Sequence, residues 1–144
     1  MRIIEKSLSF GAAIVATALF LTGCDRSAVE PEAVPDVAIT TQAHTLKLPA
    51  FVGVTITNNS TLDLRSGLCA DRMEMKSKAG WIPVVHGFAC ELSLKHLSPG
   101  SSITGYFQVP EVPPGTYRFR YAIRDANGNL LPEAALMSNL FTVE

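Results

Sequence analysis

Beyond about residue 45 the chain alternates hydrophobic and polar positions in short runs, each closed by turn formers. In "VGVTITN" Val52, Val54 and Ile56 fall on one face and Gly53, Thr55 and Thr57 on the other. A period of two predicts a half-buried strand, and "NNST" closes it. "DRMEMKS" alternates Met73 and Met75 against Arg72, Glu74 and Lys76, and "SKAG" turns the chain into "WIPVV", which holds the only tryptophan, Trp81. "SLKHLSPGSS" contains a Pro-Gly turn and leads to "ITGYFQV", with Ile103, Phe107 and Val109 on one side. The clearest run is "TYRFRYAIRD": Tyr117, Phe119, Tyr121 and Ile123 share one face, and Arg118, Arg120 and Arg124 share the other. "DANGN" ends it with an Asn-Gly pair suited to a tight reversal, and "SNLFTVE" supplies a last strand. No segment of this region sustains a 3.6-residue period. About seven short strands over about 100 residues predict an all-β domain, a β-sandwich with a small barrel as the alternative.

The N-terminus is built differently. "MRIIEKS" carries Arg2 and Lys6, and "LSFGAAIVATALFL" is apolar or small throughout. That run is shorter than the ~20 apolar residues that span a bilayer. A charged start, a short apolar middle and a small-residue end describe a secretory signal peptide. Leu21-Thr22-Gly23-Cys24 resembles the lipobox of bacterial lipoproteins, an aliphatic residue and two small ones before cysteine. The resemblance implies a signal peptide over residues 1–23. It also implies a Cys24 thiol that takes a diacylglycerol before cleavage, leaving Cys24 as the lipidated first residue of the mature chain. Several acyl chains on one residue anchor stably, where one holds only marginally. Asp25 resembles the signal that retains lipoproteins at the inner membrane of two-membrane bacteria, and outer-membrane sorting stays open beside it. The expected location is the periplasm-facing cell envelope.

Residues 24–44 combine Pro31 and Pro35 with Asp25, Glu30, Glu32 and Asp36, against one base, Arg26. Such a segment buries too little apolar surface to offset its ordering entropy. It reads as a disordered acidic tether that places the domain roughly 25 Å from its anchor. Val37–Thr40 within it offers an edge strand. At 144 residues the chain has room for one ordinary domain, expected over residues 45–144. A net charge of -1 gives no basic footprint for nucleic acid.

A sharper resemblance lies in "VPPGTYRFRY". A Pro-Gly turn, one residue, then a tyrosine opening a strand resembles the tyrosine corner of immunoglobulin-like sandwiches, and implies that the Tyr117 hydroxyl bonds back to the backbone. With "VTITNNST", a "GW" hairpin, "LSPGSS" and "SNLFTV" in that order, most of Val52–Val143 is similar to a family of bacterial immunoglobulin-like lipoprotein domains. Antibody-type domains carry their second sheet-bridging cysteine two residues after the tyrosine, where this chain has Phe119. Cys69 and Cys90 are therefore a different pair. In the oxidising periplasm that the lipobox implies, two lone cysteines of one domain should form a disulfide. A reactive or metal-bound pair is the alternative, without Cys-x-x-Cys spacing to favour it.

Candidate chemistry adds little. There is no Gly-x-Ser-x-Gly elbow, P-loop or His-Glu-x-x-His helix, so the expectation is a non-enzyme without a cofactor. Met73, Met75, His86 and His96 are ligand types that copper(I) favours, but Met73 and Met75 sit where methionine fills core gaps. His44 stands apart from them. The Arg118, Arg120 and Arg124 face, with Arg72 and Lys76, offers a positive patch for an acidic partner, or a solvated strand face blunted by Glu74 and Asp125. Three readings result: a lipid-anchored envelope module that recognises a protein partner, a protease inhibitor presenting a sandwich loop, and a periplasmic copper carrier.

Overall fold

Alternation of small apolar and polar residues produces strands here in unequal lengths, and the longest ones set the architecture. The computed structural model describes residues 34–90 and 93–144. The signal peptide, Cys24, Asp25 and the tether as far as residue 33 lie outside these residues. The strands are β1 (Val37–Thr41), β2 (Thr45–Leu46), β3 (Ala50–Asn58), β4 (Leu64–Ser66), β5 (Arg72–Ser77) and β6 (Gly80–His86). They continue with β7 (Lys95–Leu97), β8 (Ser102–Val109), β9 (Gly115–Arg120), β10 (Ile123–Asp125) and β11 (Phe141–Val143), with a 3-10 turn over Glu133–Leu136.

Three sheets form: β1-β3-β8, β2-β11-β9-β5-β6, and a small one, β10-β4-β7. All pairings are antiparallel except β2 with β11, which is parallel. The inner face of the first sheet (Val52, Val54, Ile56, Phe107, Val109) and that of the five-stranded sheet (Met73, Tyr117, Phe119, Phe141, Val143) belong to one buried core. Phe107 on β8 meets Phe119 on β9 edge-on, with ring centroids 5.3 Å apart, and Phe88 from the β6–β7 loop packs on both. Such aromatic contacts join the layers, and each fully buried ring contributes about 1.5–3 kcal/mol. The fold is an all-β, immunoglobulin-like sandwich.

The structure amends the strand-level reading in three places. The described residues make eleven short strands rather than about seven, because turns and the small sheet split longer runs. "TYRFRYAIRD" is not one strand: β9 ends at Arg120, and the Tyr121 amide donates to the Leu136 carbonyl (2.8 Å). The 3-10 turn thus takes over the strand's ladder, and β10 resumes in the small sheet beside β4. Finally, the edge strand offered at Val37–Thr40 forms as β1, so the domain begins inside the segment expected to be tether. Ile39 and Thr41 point into the core, and β1 pairs with β3 from Val37 opposite Asn58 to Thr41 opposite Val54.

Two glycines let other chain segments approach closely. A Cβ on Gly105 would collide with the Leu68 backbone carbonyl, so the β4–β5 loop packs onto β8 only because that position is bare. On Gly53 the atoms nearest an added Cβ belong to the Gln42 side chain.

Candidate functional site

The outward positions of the two large sheets carry opposite chemistry. On the five-stranded sheet, Glu74 projects from β5 between arginines of its own strand and of β9. Its carboxylate accepts from Arg72 Nε (2.7 Å) and from Arg118 Nε and Nη2 (2.8 and 2.7 Å). The Arg118 guanidinium also lies over the Trp81 ring, 4.3 Å from its centroid. Arg120 binds Asp71 at 3.1 Å. Burial pushes the Glu74 carboxyl up, but the hydrogen bonds and charges of Arg72 and Arg118 outweigh it and hold the carboxyl below its ordinary value of 4.5.

The predicted arginine patch therefore does not exist as an open positive face. Arg118 and Arg120 are engaged by Glu74 and Asp71, while Arg124 sits on β10 in another sheet and donates to the Gly128 carbonyl (2.9 Å). The break after Arg120 separates them.

The remaining candidates fall as follows. Cys69 and Cys90 form a disulfide with Cα atoms 6.2 Å apart, joining the β4–β5 loop to the β6–β7 loop. The Tyr117 hydroxyl donates to the Pro113 carbonyl, four residues upstream, and lies 3.2 Å from Met75 Sδ. Met73 is fully buried in the core. His86 ends β6, whereas His96 lies on β7 in the small sheet and pairs with Asp63 at 3.2 Å. The soft ligands are thus split between the core and two sheets. Among the described residues no group of three His, Cys, Asp or Glu side chains could hold a metal ion.

The outer face of β1-β3-β8 is the feature the strand-by-strand reading passed over. Its outward positions are Ala38 and Thr40 on β1, Phe51, Gly53, Thr55 and Thr57 on β3, and Ser102, Thr104, Tyr106 and Gln108 on β8. None is charged. Hydroxyls pair across the strands, Thr55 with Thr104 and Thr57 with Ser102, each at 2.9 Å. Two aromatics stand in solvent: Phe51 is 76% exposed and Tyr106 65%. The Tyr106 hydroxyl accepts from Gln42 Nε2 (3.2 Å), and the Gln42 side chain lies on Gly53. The phenol is thereby tied across the sheet. Depletion of charge with exposed aromatics is the composition of a protein interface core. The signal was present in the sequence, in polar positions of "FVGVTITN" and "SITGYFQV" that never carry a charge.

No family model and no curated protein sequence matches this chain. Solved structures similar to it include the Pseudomonas fluorescens alkylpurine DNA glycosylase AlkC bound to DNA containing an abasic site analog. That match is 13% identical, covers 78% of this chain and 31% of that one, and has a TM-score of 0.43. This chain thus spans about a third of the glycosylase. The Bordetella pertussis ApaA protein is 19% identical over 74% of this chain and 88% of its own, with a TM-score of 0.46. A CARDB domain from Pyrococcus furiosus in complex with di-metal ions is 12% identical over 77% and 90%, with a TM-score of 0.41. At these scores nothing passes from them to the chemistry of this chain.

Proposed function

We propose that the protein is a lipid-anchored binding module of the bacterial cell envelope. It faces the periplasm from an anchor on Cys24, and Asp25 favours the inner membrane. It holds a protein partner against the outer face of the β1-β3-β8 sheet. The observation that carries this reading is the contrast between the two outer faces. Arginines on the five-stranded sheet are already bound to carboxylates within the domain, whereas the opposite sheet offers a charge-free surface with two exposed aromatics. A surface without charge costs little to desolvate, and exposed Tyr and Phe supply contact area at low entropic cost. The anchor raises the module's effective concentration at the membrane. No catalytic step and no cofactor belongs to this reading. Copper transport is not retained, because Met73 is sealed in the core and the histidines lie on separate sheets.

The test is photo-crosslinking in the host cell from the full-length protein, with the reactive group at Phe51 and, separately, at Lys76 on the other face. One dominant envelope protein captured from Phe51, and lost in Cys24→Ser, supports the reading. Equal capture from Lys76, or none from Phe51, overturns it.

A further inference from the structure

The four outer edges of the two large sheets are not treated alike. An exposed strand edge is a row of unpaired N–H and C=O groups, and natural sheets blunt such rows with short strands, proline, bulges, charge or a cover. Three of the four edges here are blunted. β1 is covered by Asn139, whose Oδ1 accepts from the Thr41 amide (2.7 Å) and whose own amide donates to the Ile39 carbonyl (3.0 Å). β6 carries Pro83, and its register with β5 shifts opposite Met73 and Glu74, leaving Val84 as a bulge. β2 is two residues long.

β8 has none of these devices. Its eight residues, "SITGYFQV", contain no proline and no charge, and the pairing with β3 runs from Ala50–Val109 to Thr57–Ser102 without a shift. Which groups face outward follows from β3. The Gly53 carbonyl accepts from the Gln42 amide (3.0 Å) and the Thr55 carbonyl from the Thr40 hydroxyl (3.5 Å), so both turn toward β1. Their register partners on β8, Tyr106 and Thr104, therefore turn their N–H and C=O groups away from β3, and Ser102 and Gln108 follow by alternation. Among the described residues no backbone group bonds to β8 along this outer edge. The Leu68 backbone approaches β8 at Gly105, on its inward side.

From this edge we infer that the protein self-associates: two copies pair β8 with β8, antiparallel about a two-fold axis, and join their first sheets into one of six strands. A strand edge accepts a strand, and an antiparallel self-pair is the closed, isologous solution. With Gly105 on the axis, Thr104 lies opposite Tyr106 of the second copy and Ser102 opposite its Gln108. Every side chain brought together is neutral, so identical chains meet without repulsion. That self-complementarity favours a second copy over an unrelated segment. The pairing leaves the outer face open and does not depend on the partner reading above.

The experiment is sedimentation equilibrium of the full-length protein in a mild detergent across the micromolar range. The wild type is expected at the mass of two chains. Thr104→Lys and Thr104→Glu should each run as single chains with unchanged circular dichroism, and an equimolar mixture of the two should return to the dimer mass. Thr57→Lys, on the same face of the central strand β3, should remain dimeric. A monomeric wild type, a Thr104→Lys dimer, or a mixture that stays monomeric overturns the proposal. A Thr57→Lys monomer does so too, because the contact would then be the face and not the edge.

Discussion

Replacing Glu74 by glutamine separates charge from packing in the five-stranded sheet. The Glu74 side chain is 5% exposed and takes three short bonds from Arg72 and Arg118, whose side chains are 30% and 18% exposed. Removing one partner of a fully buried pair costs about 3–5 kcal/mol, and exposed pairs are worth less than about 1. The arginines here keep partial access to water, so a loss of about 2 kcal/mol is expected for Glu74→Gln at pH 7, between those limits. In a domain of this size, that moves the urea midpoint by roughly 1 M. The pH dependence identifies the cause. The folded carboxyl titrates below its unfolded value of 4.5. Its contribution is therefore complete above about pH 5, and is lost as pH falls through the folded value. Glutamine has nothing to titrate. Urea midpoints of the two proteins should differ at pH 7 and converge as pH falls below 4.5. A gap of equal size at both ends of that range would refute the electrostatic account and assign the loss to packing.

Two further pairs of substitutions test the core. Tyr117→Phe removes the hydroxyl that bonds Pro113 and should cost about 1 kcal/mol, the net worth of an ordinary hydrogen bond. Tyr121→Phe should be neutral or stabilising, because the buried Tyr121 hydroxyl has no hydrogen-bond partner among the described residues. Paired urea titrations check the opposite signs, and equal losses would remove the corner's energetic role. Gly105→Ala should cost about 1–3 kcal/mol, since the new methyl meets the Leu68 backbone, whereas the atoms nearest a methyl at Gly53 are the flexible end of Gln42, and Gly53→Ala should cost less. Thermal midpoints in the reverse order would contradict the close approach of the β4–β5 loop.

Period-two alternation carried most of the fold into view. Tyr117, Phe119, Tyr121 and Ile123 are all fully buried on one face, and the Pro-Gly-Thr-Tyr order marked the corner whose hydroxyl reaches Pro113. What alternation cannot register is a strand that changes sheets. The side-chain period continues smoothly from β9 into β10, while the hydrogen bonds pass at Tyr121 to the 3-10 turn. Arginines that look collinear in sequence therefore end in different sheets. β1 was legible only as an optional edge strand at Val37–Thr40, for a related reason. Val37–Thr41 is short and follows prolines, and it is fixed by non-local bonds to β3 and Asn139 that no local pattern announces. Pairing of Glu74 with Arg118 is likewise a register effect: β5 and β9 place these residues directly opposite.

The neutral face and the bare edge meet in the same strand, and that has a consequence for binding. Ser102, Thr104, Tyr106 and Gln108 present their side chains to the outer face and their backbone groups to the edge. Pairing β8 with its copy would thus bring Phe51 and Tyr106 of both chains onto one continuous surface. Two faces fixed in a single sheet engage a symmetric or repeated partner with the second contact made intramolecular, which raises avidity without any new contact. A partner bound by the dimer should then dissociate more slowly than from the same protein diluted to single chains, a comparison that leaves the face itself unaltered. Dissociation at the same rate from both would mean that each face works alone, and that the β8 pairing serves assembly and not recognition.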